Sequence, residues 1–194
     1  YDLKQVEYGY VSTLGAQFYQ STASLDKAYK LQPMQYRLTI PYRVQISTSN
    51  GVQADSGVVD GDVLHTLQMT RSFGENDPLK IVGAAKIMEL VWHEDAFAIG
   101  FNFGLLTNLV KLDMSVEKAS GYRNGSFMAS TNGMLLLEEV NMRNNQLARN
   151  GDNGNVATLD LSWQGRLKKL DVRGTGLTRV KLATGAPVVQ LCLP

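Results

Sequence analysis

Acid–base, nucleophilic or metal chemistry would have to come from few residues here, because the chain holds two histidines, His65 and His93, and one cysteine, Cys192. His93-Glu94-Asp95 places an imidazole beside two carboxylates, a set that could move a proton. It directly follows an apolar segment, where a turn is expected, and His–acid clusters at turns are usually solvated. Asn150-Gly-Asp152-Asn-Gly-Asn155 is rich in oxygen donors, but no bidentate acid closes the run as a calcium loop requires, so it reads as a loop. Cys192 needs a nearby base to act as a nucleophile; the nearest histidine in sequence is His93, so a packed thiol is expected. Asn124-Gly125-Ser126 is a glycosylation sequon with meaning only in a eukaryotic secretory setting. No phosphate-binding glycine loop, nucleophile elbow or zinc-protease helix motif occurs. The expectation is a non-enzymatic protein with no catalytic residue, no cofactor and no metal.

Composition points the same way. The 194 residues carry a formal net charge of +1, with 44% apolar and 19% charged residues. That length supports one sizeable core or two small ones, and the apolar fraction argues against disorder. Near-neutral charge without a Lys/Arg cluster removes the footprint of a nucleic-acid binder. No apolar run approaches the roughly 18 residues a membrane helix needs, and a single cysteine excludes an internal disulfide. The apolar run Val189-Gln-Leu-Cys-Leu193 carries no polar cap. It is expected to belong to a longer polypeptide or to be covered by a partner, since an exposed apolar edge invites strand pairing.

The elements that would position any site are set by repeats. Leu137-Glu-Glu-Val140-Asn-Met142-Arg-Asn-Asn145-Gln-Leu147 fits L-x-x-L-x-L-x-x-N-x-L, the leucine-rich-repeat pattern. Alternation in L-x-L turns a short strand's inner face to the core, and the Asn amide serves backbone groups at the turn. The same core recurs around Leu90, Leu112, Leu159 and Val180, giving steps of 22, 28, 19 and 21 residues through Val140. A second register holds Leu167-Lys-Lys-Leu170-Asp-Val172 and Val188-Val-Gln-Leu191-Cys-Leu193. Strands this frequent predict coils extended on both sides, with little helix. The 28-residue step, holding Gly121–Ser126 and Thr131-Asn-Gly133, predicts an inserted loop. A β-sandwich with evenly spaced strands is the alternative.

In each L-x-L the middle residue faces away from the core, so these residues should stack into a ladder on one face. The candidate binding face is Asp113, Asn141, Asp160 and Lys181, with Lys111, Glu139 and Arg179 two residues earlier on the same strands. Val91, Thr158 and Lys169 complete the rows, and Asp171 and Cys192 stand in the second register. Interspersed signs and the lack of an aromatic anchor fit a solvated sheet face as well as a binding surface.

Residues 1–78 lack the repeat. Apolar spacing at Tyr8, Val11, Leu14, Phe18 and Ala23 predicts a helix within Tyr1–Leu31. Tyr36–Thr48 reads as a strand whose Pro41 implies an edge or bulge, and Val63–Arg71 as another, with turns at Asn50-Gly51 and Asp60-Gly61. The expected architecture is α+β to mainly β. A small α+β cap or module over 1–78 precedes an irregular leucine-rich-repeat β-solenoid over about 79–194, continuing beyond the chain end.

The stretch Leu159-Asp-Leu-Ser-Trp-Gln-Gly-Arg-Leu-Lys-Lys-Leu-Asp-Val-Arg-Gly-Thr-Gly-Leu-Thr-Arg-Val-Lys-Leu182 resembles repeats of internalin-type bacterial surface proteins. Its Asp-Val-Arg-Gly-Thr form is also similar to repeats in tail proteins of crAss-like bacteriophages. The resemblance covers 87–194 at best, with irregular spacing and one repeat keeping its Asn. It implies a structural component of a phage tail in the virion, with partners that are other copies of itself or other virion proteins. The alternative it leaves is a bacterial cell-surface, adhesin-like binding module recognising a host protein or glycan. A glycan-active enzyme using Asp or Glu pairs of the first half ranks third.

Overall fold

The computed structural model describes residues 11–19, 33–48, 51–68, 78–93, 97–99, 103–117, 126–129, 131–147 and 157–194. The fold is mainly β. Its strands are β1 (Val11–Tyr19), β2 (Met34–Leu38), β3 (Tyr42–Thr48), β4 (Gly51–Val59), β5 (His65–Leu67), β6 (Pro78–Val82) and β7 (Ile87–Val91). They continue with β8 (Phe97–Ile99), β9 (Lys111–Asp113), β10 (Glu139–Asn141), β11 (Thr158–Leu161), β12 (Lys169–Asp171), β13 (Arg179–Leu182) and β14 (Gln190–Cys192). The one described α-helix, α1, is the single turn Ser126–Ala129. No helix among the described residues is long and apolar enough to cross a membrane.

Five twelve-residue units build the second half: residues 81–92, 103–114, 131–142, 161–172 and 182–193. In each, the first, fourth, seventh, tenth and twelfth residues line up. In the second unit these are Phe103, Leu106, Leu109, Leu112 and Met114, all buried. The last six residues of each unit, from the seventh to the twelfth, are the L-x-x-L-x-L core read from sequence. The tenth residues Leu90, Leu112, Val140, Leu170 and Leu191 pair strand to strand in parallel, in the order β7, β9, β10, β12, β14. Backbone bonds continue past the strand ends, with the amides of Trp92, Met114, Met142 and Val172 donating to the carbonyls of Asp113, Asn141, Asp171 and Cys192.

This pairing corrects the ladder expected from spacing. Leu159 and Val180 do not follow Val140; they pair with each other in a separate two-stranded parallel sheet, β11–β13. The strand after β10 is β12, a step of 30 residues from Val140 to Leu170. Thr131–Gly133, expected in an inserted loop, is a 3-10 turn opening the third unit. Similar 3-10 turns stand at Ala84–Lys86 and Phe103–Leu105, whereas the strands β11 and β13 lead into the fourth and fifth units, ending at Leu161 and Leu182. Two of these turns approach closely, since a Cβ at Gly133 would sit 2.6 Å from the Gly104 carbonyl oxygen. Only glycine fits there.

Polar residues hold the turns at two kinds of place. Asn145 is buried, and its Nδ2 donates to the carbonyls of Met114 at 2.7 Å and Met142 at 3.2 Å, tying two units together. Gln164 takes the fourth position of its unit, fully buried, and donates to the carbonyls of Thr131 and Met134.

The first half completes the same sheet. β2 runs antiparallel to β7, and β5 antiparallel to β2, giving the order β14-β12-β10-β9-β7-β2-β5. Ile40-Pro41 bends the chain out of this sheet, so the expected single strand over 36–48 becomes β2 and β3 in different sheets. Proline removes a ladder donor and fixes its φ, which suits a crossover better than a continuous strand. β3 then pairs on both sides within the antiparallel sheet β4-β3-β6-β1-β8. The helix expected over Tyr1–Leu31 is contradicted where it is described: Val11–Tyr19 is β1, paired with β6 and β8. β-branched and aromatic residues such as Val11, Thr13, Phe18 and Tyr19 suit a strand, and Gly15 does not favour a helix. The rest of that segment lies outside the described residues. A boundary near residue 78 does not interrupt the sheet, and one buried cluster runs from Met34 to Leu177.

Candidate binding face

The solvent side of the seven-stranded sheet carries two rows of side chains. The first alternates in sign across the strands: Arg37 meets Glu89 at 3.0 Å, Glu89 meets Lys111 at 3.7 Å, Lys111 meets Glu139 at 3.8 Å, and Glu139 meets Lys169 at 3.2 Å. Gln190 ends the row on β14. Each such exposed pair contributes little stability alone. Together they neutralise one another and favour one register, because a slip would set like charges side by side.

The second row is Val91, Asp113, Asn141, Asp171 and Cys192. Its oxygens work locally. Asp113 Oδ1 accepts from the Ser115 amide at 3.0 Å, Asn141 Oδ1 from the Arg143 amide at 3.1 Å, and Asp171 Oδ1 from the Arg173 amide at 3.1 Å. These are Asx turns that end each strand. The Arg173 guanidinium also grips Asp171 and holds its carboxyl below the usual carboxylate range.

Of the expected face, the structure therefore brings together Lys111, Asp113, Glu139 and Asn141, on β9 and β10. Asp160, Arg179 and Lys181 lie apart on β11 and β13, where Lys181 reaches Asp160 at 3.5 Å. Hydrogen bonds from Ser162 hold the Asp160 carboxyl below its ordinary value. The places expected for Asp160 and Lys181 on the long sheet belong to Asp171 and Cys192, and Lys169 and Gln190 stand beside them. Lys111, Asp113, Glu139, Asn141, Lys169, Asp171 and Gln190 line a shallow concavity on this face. Glu89 and Arg37, absent from the expected face, extend its charge row. Only the antiparallel addition of β2, invisible to repeat spacing, brings Arg37 there.

The remaining candidates are placed as follows. His93 Nδ1 lies 2.7 Å from the Ser115 carbonyl oxygen and 3.8 Å from Asp113 Oδ1. The Ser115 hydroxyl donates to Asp113 at 2.7 Å, while its distance to His93 Nδ1 is 3.5 Å. A serine that gives its proton to the carboxylate, beside a histidine turned to a carbonyl, is not set up as a nucleophile–base pair. Glu94, Asp95 and the 150–155 loop lie outside the described residues, as do Asn124 and Gly125. Among the described residues no group of three or more His, Cys, Asp or Glu is placed to hold a metal ion. Cys192 is a free, half-buried thiol.

No family model matches this chain, and no curated protein or solved structure does so either.

Proposed function

We propose that residues 79–194 form an irregular leucine-rich-repeat β-solenoid, and that the chain is a non-enzymatic structural component of a phage tail that acts through protein–protein contacts. The observation that carries the contact reading is the fifth unit. Val189, Leu191 and Leu193 are exposed by 79%, 42% and 49%, although Leu170 and Val172, the counterparts of Leu191 and Leu193 in the unit before, are buried. Exposed apolar residues grouped on one unit suit a contact with another protein surface. The self-neutralising charge row and the Asx turns support a scaffold, since their polar groups are spent on holding strands in register. Location in a virion rests on the likeness of residues 159–182 to phage tail repeats. Cryo-microscopy of virions from a phage encoding this chain tests it: the parallel stack traced in the tail is the expected result, and virions without its density overturn it.

A second reading, a bacterial cell-surface module recognising a host protein or glycan, is favoured by the concavity around Lys111, Asn141 and Lys169. Binding to a glycan array that disappears in Asn141→Ala and Lys169→Glu would support it over the tail reading.

A further inference from the structure

The concavity on the sheet face has a volume of about 160 Å³ and is lined by polar side chains of β9, β10, β12 and β14. That is below the roughly 300–1,000 Å³ of a site that encloses a drug-sized molecule, and it suits one sugar-sized ring at a time. With the Arg173 that grips Asp171 included, its charges cancel: Lys111, Lys169 and Arg173 balance Asp113, Glu139 and Asp171. A balanced floor exerts no net pull on an anion or a cation, so charge complementarity selects a neutral partner.

Most polar atoms of this floor are committed. Glu139 lies between Lys111 and Lys169, and both oxygens of Asp171 hold Arg173. Asp113 Oδ1 accepts from the Ser115 amide and hydroxyl, and Asn141 Oδ1 accepts from the Arg143 amide. What is left over is Asp113 Oδ2, an acceptor, Asn141 Nδ2, a donor, and the Gln190 side-chain amide, which is both. None of these atoms has a hydrogen-bond partner among the described residues. Asp113 and Asn141 stand directly opposite each other on paired strands, which lie about 4.8 Å apart. An acceptor and a donor at that spacing can each take one of two adjacent hydroxyl groups. A hydroxyl donates and accepts through one oxygen, so it fits a floor where the two roles alternate. A peptide main chain, also neutral, pairs with a strand's edge and not with its face.

We propose that this concavity binds a neutral saccharide, with adjacent ring hydroxyls on Asp113 Oδ2 and Asn141 Nδ2 and a further hydroxyl of the same glycan on the Gln190 amide. The proposal deepens the second reading above and rests on it, narrowing its ligand to an uncharged glycan. The residues that line the concavity include no aromatic ring. Binding therefore comes from hydrogen bonds that water also offers, and a dissociation constant on the order of 1 mM is expected.

NMR titration of the isotope-labelled whole chain tests it, using neutral oligosaccharides of glucose, mannose and N-acetylglucosamine, with sialylated and sulfated oligosaccharides as charged counterparts. A neutral sugar is expected to shift the side-chain amide signals of Asn141 and Gln190. Asp113→Asn and Asn141→Asp each keep the Oδ1 acceptor that the turn needs and reverse the role of the other atom, so each is expected to weaken binding about tenfold. The double variant sets the donor and the acceptor in exchanged places. Because a hydroxyl can turn its proton round, that variant is expected to recover most of the affinity. Loss in both single variants without recovery in the double one means a ligand with fixed donors and acceptors, and overturns the proposal. Shifts from the charged glycans alone also overturn it, while leaving the second reading in place. No shift at the concavity from any glycan overturns it too, and the second reading then stands or falls on binding of a host protein. Circular dichroism confirms that each variant folds; should Asn141→Asp not fold, Gln190→Ala, at an exposed position, replaces it, with a smaller loss of binding expected and an unchanged affinity overturning the proposal.

Discussion

The fourth and fifth units follow one another with the same spacing, Leu161–Val172 and then Leu182–Leu193, yet they differ sharply in burial. Leu167, Leu170 and Val172 are at most 1% exposed, whereas Leu191 and Leu193 are 42% and 49% exposed. Residue type and local backbone do not explain this, because both strands pair in register with the unit before. What differs is the far side: there the fifth unit pairs with the fourth, whereas among the described residues no strand pairs with the fifth on that side. A unit in such a stack supplies half of its own core and borrows the rest, so stability is carried between units more than within them.

The widest gap between the two units should appear on burying a charge. Leu170→Asp places a carboxylate among apolar neighbours and should cost about 5 kcal/mol or more, enough to abolish the folded stack. Leu191→Asp, at the equivalent position, should cost under about 1 kcal/mol, in keeping with exposed sites. Urea denaturation followed by circular dichroism measures both, and equal shifts would break the comparison. Leu159→Asp should behave like Leu170→Asp, because its side chain is also fully buried.

A smaller effect sharpens it. Asn145→Ala leaves the Met114 and Met142 carbonyls without their donor and should lower stability by about 1–3 kcal/mol, read as a lower urea midpoint.

Acid comes next. The folded-state pKa of Asp171 is depressed, chiefly by Arg173, so its ionised form favours folding. That contribution is complete above the unfolded carboxylate value near about 4 and disappears as pH falls through the lower folded value. Asp171→Asn should therefore destabilise the protein at neutral pH and converge with the wild type in strong acid. Cys192 replaces the aspartate in the fifth unit, so Cys192→Ser should leave the acid limb of the stability curve unchanged. Both curves come from thermal melts across a pH series. The smallest effect belongs to Asp160→Ala, on the exposed face of β11, which loses its hydrogen bonds from Ser162 and should melt only slightly below the wild type, by less than Asp171→Asn.

The strand positions of the second half were legible because Leu, Val and Met at L-x-x-L-x-L spacing have one physical use. Which strands meet was not legible. From Val140 a step of 19 residues reaches Leu159 and one of 30 reaches Leu170, and both segments carry the same apolar pattern. The information that decides lies in rungs filled by polar residues. Thr131 and Gln164 occupy buried positions where Phe103 and Leu161 or Leu106 and Met134 stand in other units, and a hydropathy reading passes over them. The candidate face was misjoined for the same reason, with Lys111 and Asn141 placed together and Asp160 and Lys181 drawn in from another sheet. In the first half, Pro41 was visible as an interruption, but its result, a change of sheet, depends on which strand edges are open in three dimensions.

The parallel ladder has a mechanical consequence. Under tension applied at the β14 end, hydrogen bonds load one strand at a time, since each strand is held mainly by the one before it. Extension would then proceed as a series of small ruptures, not as one cooperative yield. At about 3.3–3.6 Å per extended residue, the 21 residues from Leu170 to Leu191 would release roughly 70–75 Å of chain. Release of the 30 residues from Val140 to Leu170 would be longer, roughly 100–110 Å. The unequal spacing of the units would be written directly into the force–extension trace.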